Sequence, residues 1–271
     1  MVRETRFYNN GDKYEGELRG EIREGQGTYT FANGNRYEGQ WKNDTFDGKG
    51  VFFWKDGSKY DGNWKNGKKD GKGIFTTTNG NKYDGMWTND NYNGKGTYFW
   101  NDGCKYEGEF KQNKFDGEGK FFWNNGSRFE GKWYEGHKTG NGKLFFNNGS
   151  RYEGSFKNDN IDGKGIYYWL DGDKYEGEFK NNKREGKGIY YYNNGTVYDG
   201  EFKNNKREGK GIFYYNNNEK YDGNFSNNEC NGQGIFYFNN GDKTEGKFTK
   251  HKATGVHTRN LANGQVQKIT Y

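Results

Sequence analysis

From Tyr14 onward the chain repeats one phrase every 23 residues, close to Y-[ED]-G-x-[WF]-x-x-x-x-x-x-G-x-G-x-x-x-x-x-N-G, with no insertion or deletion. The opening aromatic falls at Tyr14, Tyr37, Tyr60, Tyr83, Tyr106, Phe129, Tyr152, Tyr175, Tyr198 and Tyr221, and Thr244 takes its place last. A fixed period of this length marks an array whose units bury their apolar surface against their neighbours. One architecture is therefore expected throughout, with no separate catalytic domain. The expected divisions are a half-repeat cap over residues 1–13, ten tandem repeats over 14–243, and a degenerate repeat with a C-terminal cap over 244–271.

The material of the core follows from what the repeat contains. Apolar residues make up 28% of the 271, yet 23 Tyr, 22 Phe and 8 Trp recur in fixed phase. Each large ring buries roughly 150 Å² or more, which offsets the scarcity of aliphatic side chains that would otherwise point to disorder. No run of about 18 apolar residues occurs, and the start MVRETRFYNN lacks the apolar stretch of a secretory signal. The expected address is cytoplasmic, and Cys104 and Cys230 are expected to be free thiols.

Within a repeat, Arg36-Tyr37-Glu38-Gly39-Gln40-Trp41 alternates with period two, so one face is charged and the other aromatic. The second half, Gly50-Val51-Phe52-Phe53-Trp54, is rich in strand-forming residues and ends at Asp56-Gly57, in the place where most repeats carry Asn-Gly or Asp-Gly. That dipeptide suggests a two-residue hairpin, and only Asn218 breaks the glycine position. The fold expected is all-β: an elongated, single-layer, twisted antiparallel meander. The paired glycines, such as Gly48 and Gly50, are expected to make room for rings and permit sharp bending.

Reading each phase down the array separates structure from surface. The residue before the aromatic is basic from Lys13 to Lys243 except at Val197, and the residue after it is always acidic, which gives a solvated face of alternating charge. The phase of Phe53 also holds Phe99, Phe122, Phe145, Tyr168, Tyr191, Tyr214 and Tyr237, a second row of rings on the charged face. Such a row dimerises, binds a partner, or is shielded by Lys and Arg stems. A stretch read as a loop before the double glycine carries Phe46, Tyr92, Phe115 and Ile161 in some repeats, and Lys69, Lys138, Arg184 and Arg207 in others.

Catalytic and cofactor motifs are absent or counterfeit. Gly126-x-x-x-x-Gly131-Lys132 has the spacing of a phosphate loop, but Trp133 follows where a Mg²⁺-binding hydroxyl is required. His137, His251 and His257 lack metal-ligand spacing, and the carboxylates repeat along rows instead of converging. No enzyme activity, cofactor or metal is expected. Interleaved rings and basic groups suit nucleic-acid stacking, but +6 net charge with 37 acidic residues gives a mixed field that counts against it.

The unit Tyr60-Asp61-Gly62-Asn63-Trp64-Lys65-Asn66, with Gly71-Lys72-Gly73 and Asn79-Gly80, resembles the MORN repeat (membrane occupation and recognition nexus). The resemblance covers nearly the whole chain, departing at Phe129, Asn218, Thr244 and the eleventh unit. It implies an antiparallel β-ribbon. It also implies a role among scaffolds of the cytoskeleton and cell cortex, of cilia and their axonemal radial spokes, and of membrane junctions. The kinase and methyltransferase segments that accompany the repeat in larger relatives have no counterpart here.

Two functions follow as expectations. The first is a non-enzymatic scaffold that binds other proteins along its rings, with Trp41, Trp54, Trp64, Trp87, Trp100, Trp123, Trp133 and Trp169 lining the ribbon and Phe46, Tyr92, Phe115 and Ile161 as further contacts; a homodimer is one form this takes. The second is a peripheral adaptor that docks on anionic phospholipid membranes through Lys183, Arg184, Lys187, Lys206, Arg207 and Lys210, brought close by two copies of Lys-Asn-Asn-Lys-Arg-Glu-Gly-Lys-Gly.

Overall fold

A computed structural model describes residues 1–271 and contains only strands and their connections. The strands belong to one open antiparallel sheet built of sequential hairpins. The chain divides into two units, Met1–His137 and Lys138–Tyr271. Unit 1 holds β1 (Val2–Phe7), β2 (Lys13–Arg19), β3 (Ile22–Thr30), β4 (Arg36–Lys42), β5 (Thr45–Phe53), β6 (Lys59–Lys65), β7 (Lys68–Thr76), β8 (Lys82–Thr88), β9 (Asn91–Phe99), β10 (Lys105–Lys111), β11 (Lys114–Phe122) and β12 (Arg128–Tyr134). After β13 (His137–Phe145), unit 2 continues with β14 (Arg151–Lys157), β15 (Asn160–Tyr168), β16 (Lys174–Lys180), β17 (Lys183–Tyr191), β18 (Val197–Lys203), β19 (Lys206–Tyr214), β20 (Lys220–Ser226), β21 (Glu229–Tyr237), β22 (Lys243–Thr249), β23 (Lys252–Asn260) and β24 (Val266–Thr270).

Each repeat supplies a seven-residue strand and a nine-residue strand, because a turn of only two residues separates them. The stretch expected as a loop around Phe46 is therefore strand, and the loop reading is corrected. Its period-two signal is hidden because two successive ring-face positions are the glycines Gly48 and Gly50, and the pairing with β4 carries a bulge there. Gly39 pairs with Gly50 and Trp41 with Phe46, so three residues of β5 oppose the single Gln40 of β4, and Gly48 at φ +99° absorbs the excess. The pairing of β5 with β6 is regular, which confines the bulge to the hairpin within a repeat.

The turns are also placed differently from the expectation. The two-residue turn lies between the two strands of a repeat, at Asn43-Asp44 (φ 47° and 62°), Asn181-Asn182 (48° and 65°) and their counterparts. Asn and Asp tolerate that left-handed geometry better than other non-glycine residues. The Asn-Gly dipeptides sit in three-residue loops instead: Phe31 N–H donates to Asn35 O, Gly34 N–H donates to Phe31 O, and Gly34 alone takes the positive φ. Asn218 holds the glycine position of its loop at φ 66°, which asparagine accepts.

The core is a slot repeated in every full unit. Gly39 and Gly50 face each other across the ladder, and the Tyr37 ring lies over both while its hydroxyl donates to Gln40 O at 2.9 Å. Tyr37 is fully buried, edge-on to Trp41 and Trp64 at 5.3 and 5.6 Å. A side chain on either glycine would occupy the space of the ring, so the tripeptide and the double glycine are one device seen in two places. The remaining glycine of the pair, Gly48, serves the bulge.

At the degenerate repeat the device is inverted. Thr244 replaces the tyrosine and His257 replaces the second glycine, and the fully buried His257 ring covers Gly246 from the opposite strand. His257 Nε2 lies 2.8 Å from Lys247 O, the carbonyl that corresponds to the tyrosine acceptor in other repeats, and Nδ1 lies 3.4 Å from Thr244 Oγ1. Phe248 and Tyr271 contact the imidazole edge-on at 5.1 and 5.0 Å.

Candidate interaction surface

The eight tryptophans fall into two sets. Trp41, Trp64, Trp87 and Trp133, on the seven-residue strands, are buried, and each indole N–H donates to a glycine carbonyl of the preceding repeat, Gly27, Gly50, Gly73 and Gly119, at 3.1 to 3.3 Å. Their polar atoms are satisfied and their faces covered, which makes them core. Trp54, Trp100, Trp123 and Trp169 follow the nine-residue strands and are half-buried. That division rests on a hydrogen bond between residues 14 apart, which no local pattern reveals.

Phe46, Tyr92 and Phe115 stack on the slot tyrosines Tyr37, Tyr83 and Tyr106 at 3.9, 3.9 and 3.8 Å, and Ile161 is buried in the same phase. Cations take this place elsewhere. Lys69 Nζ sits 4.5 Å from the Trp87 ring, and burial lowers its pKa; Arg184 and Arg207 lie 5.1 Å from Tyr190 and Phe213. Cys230 fills the position in the tenth repeat, where burial pushes its thiol up to about 11; it and Cys104 are both free. The position caps the tyrosine, and its variation sets the local charge of the ring face.

What remains open on that face is a ladder of half-buried rings. In unit 2 it runs from Tyr167 through Trp169, Tyr190, Tyr192, Phe213, Tyr215 and Phe236 to Phe238, with successive centroids 4.4 to 5.9 Å apart. In unit 1 it runs from the exposed Tyr8 over the buried Tyr29 to Phe31, Phe52, Trp54 and Phe75, and Thr77 interrupts it before Tyr98 and Trp100. Carboxylates pin two of these rings: Tyr29 and Tyr190 donate their hydroxyls to Asp12 and Asp173 at 2.6 and 2.5 Å.

The second row of rings takes the shielded form. Arg36, Lys105, Arg151, Lys174 and Lys220 lie over Phe53, Phe122, Tyr168, Tyr191 and Tyr237 at 3.8 to 4.5 Å, because each cation stands directly opposite its ring in the ladder. Val197, the one gap in the basic row, stands opposite Tyr214, which is 40% exposed. Arg36, Lys105, Arg151 and Lys174 also pair with the acid two residues on, as in Lys105–Glu107 at 2.6 Å and Arg151–Glu153 at 3.1 Å. This is the solvated charged face that the alternation implied.

The six basic residues proposed for lipid do not share one face. Arg184 and Arg207 turn to the rings, each giving Nη2 to a turn carbonyl, Asn205 O and Asn228 O. Lys183, Lys187, Lys206 and Lys210 are exposed, and Lys187 stands opposite Glu201. A depression of about 780 Å³ on the charged face of unit 1 is lined by Lys72, Asp84, Lys95, Glu107, Glu109 and Glu118. No group of three or more His, Cys, Asp or Glu is placed to hold a metal ion, and no helix is long and apolar enough to cross a membrane.

A family model for the MORN repeat matches residues 14–36, 37–59, 60–82, 83–105, 106–128, 129–151, 152–174, 175–197, 198–220 and 221–243. The chain belongs to the MORN repeat family. No curated protein matches it in sequence. Among solved structures, it is similar to the TCP domain of Drosophila melanogaster SAS-4 in complex with a proline-rich motif of Ana2 (TM-score 0.40, 15% identity, 57% of this chain and 84% of that one). The TCP10 domain of Danio rerio CPAP in complex with a STIL peptide gives a TM-score of 0.35 at 10% identity, covering 100% of both chains. At these TM-scores the likenesses carry no argument. The MORN phrase itself accounts for the slot, and the surface lies in the phases that the phrase leaves free.

Burial of the ring-face tyrosines sets an alkaline limit on the fold. It pushes Tyr14, Tyr92, Tyr152 and Tyr215 up to about 12, and Tyr37 and Tyr106 higher still, whereas an unfolded tyrosine titrates near about 10. The folded chain holds protons that the unfolded chain releases, so this stability is complete below about pH 10 and is lost as pH rises towards about 12. Circular dichroism and tyrosinate absorbance recorded together are expected to change in one step in that window. Smooth ionisation with unchanged dichroism would contradict it.

Proposed function

We propose that this chain is a non-enzymatic scaffold that binds other proteins along its half-buried ring ladder. The observation that carries the reading is the continuity of that ladder in unit 2 from Tyr167 to Phe238. Tyr, Trp and Phe in rows are the side chains from which interface hot spots are built, and partly covered rings lose little conformational freedom on binding. The carboxylates of the charged face alternate with lysines and arginines in ion pairs, an arrangement that serves solubility and not proton transfer. The MORN resemblance to cytoskeletal and ciliary scaffolds supports a cytoskeletal address for this one.

Affinity capture from the source cell tests the proposal, comparing the native chain with a Tyr192→Ser, Tyr215→Ser variant. A partner that co-purifies in fixed ratio with the native chain is expected to fall by about tenfold or more with the variant, the loss of two ring contacts at an interface. Far-ultraviolet dichroism of the variant guards against misfolding. Equal recovery by both chains would remove the ladder as the binding surface.

A further inference from the structure

The two copies of Lys-Asn-Asn-Lys in unit 2 place like charges face to face. In the ladder register Lys180 stands directly opposite Lys183, and Lys203 directly opposite Lys206, across turns whose asparagines take positive φ. All four are exposed. Like charges directly opposite weaken a sheet, and none of these lysines is in an ion pair with a carboxylate. Ion pairs in unit 2 engage Lys143, Arg151, Lys174 and Arg259 instead. Lys183 Nζ and Lys206 Nζ reach Asn204 Oδ1 and Asn227 Oδ1 at 3.1 and 2.9 Å, acceptors that leave the charge uncompensated.

The geometry points to this lysine stripe as a docking site for an extended acidic protein segment that carries a carboxylate at every third residue. Successive pairs lie one repeat apart, two strand separations or roughly 9.6 Å, and three residues of an extended polyproline-II segment span about 9.3 Å and return the side chain to the same face. The stripe is also narrow. Two residues inward on the same strands stand the exposed Glu178 and Glu201, whose carboxylates lie over Gly186 and Gly209. A broad anionic surface pressed onto the stripe meets those carboxylates as well, whereas a single strand along the turns meets only Glu185 and Glu208, which already accept from Asn204 N–H and Asn227 N–H at 2.9 Å.

Neighbouring positions show that the stripe is local. The next hairpin opposes Ser226 with Glu229, and in unit 1 the pairs Lys65–Lys68 and Lys111–Lys114 are separated by Thr88–Asn91. Lys114 is moreover within 4.0 Å of Glu135. The stripe occupies the face opposite the ring ladder, since Lys180 and Lys203 alternate with the buried Phe179 and Phe202, so it stands or falls apart from the ladder reading.

The test uses the full chain and a fluorescein-labelled peptide about twelve residues long, long enough to reach both pairs, with Glu at every third position and Ser, Thr and Gly between. An isomer of the same composition has its Glu residues consecutive. By fluorescence anisotropy at low salt, the spaced peptide is expected to bind about tenfold more tightly than its isomer, and Lys180→Gln with Lys203→Gln to weaken it by about tenfold. Lys65→Gln with Lys68→Gln is expected to change nothing. The spaced peptide should also raise the melting temperature of the native chain but not that of the Lys180, Lys203 variant. Equal binding of the isomers, no loss in that variant, or binding to phosphatidylserine vesicles with neither peptide bound would each overturn the inference.

Discussion

Gly50→Ala is expected to destabilise the hairpins around Tyr37 by about 2–4 kcal/mol, an overpacking cost compounded by loss of a buried hydrogen bond. A Cβ on Gly50 would lie 2.5 Å from Tyr37 Cζ and collide with the hydroxyl oxygen as well. The ring has nowhere to retreat, being fully buried, stacked on Phe46 at 3.9 Å and held edge-on by Trp41 and Trp64. Gly126→Ala is the control. Nothing lies within 4 Å of its Cβ, and its φ of +88° imposes only the left-handed penalty of about 1–2 kcal/mol. In a repeat array unfolding is not guaranteed to be one transition, so amide hydrogen exchange along β4 and β5 reads the effect where it occurs. Should Gly50→Ala cost no more than Gly126→Ala, the slot is not the core device described.

The second large effect concerns the inverted slot. His257→Gly removes a fully buried ring from beneath Phe248 and Tyr271 and is expected to cost about 2–4 kcal/mol. Thr244→Tyr forces a second ring into an occupied slot and is expected to cost about 1–3 kcal/mol. Together they recreate the Tyr221 and Gly234 arrangement of the preceding repeat, and the double variant is expected to recover at least about 2 kcal/mol of the summed cost. Exchange protection of β22 and β23 in all four chains measures the coupling. Strict additivity would mean that Thr244 and His257 are two unrelated substitutions.

Much of this was legible in the sequence because the period aligned residues that share an environment. The hairpins, the alternation of ring and charge on the seven-residue strands, and the pairing of Lys105 with Glu107 two residues on all follow from period two. The capping position of Phe46 is not legible because its ring-face neighbours on the same strand are Gly48 and Gly50, which leave the alternation without side chains and make strand look like loop. Asn-Gly is the strongest local turn signal, yet Asn43-Asp44, equally able to take positive φ, holds the two-residue turn. The exchange at Thr244 and His257 was visible as two departures from the phrase; that they compensate each other depends on strand register. The opposition of Lys180 to Lys183 and of Lys203 to Lys206 depends on register across a turn, which the period alone does not show.

The indole hydrogen bonds give the chain a mechanical polarity. Each one fastens a repeat to the one before it, Trp41 to Gly27 and Trp133 to Gly119, and every such clasp lies in unit 1. In unit 2 the corresponding positions are Phe156, Phe179, Phe202, Phe225 and Phe248, rings with no donor to offer. At about 1 kcal/mol for each bond, the seams of unit 1 are stitched except at Phe110, and those of unit 2 are only pressed together. A scaffold pulled or sheared in use therefore has a fixed order of yielding written along it, with the C-terminal repeats parting before the N-terminal ones.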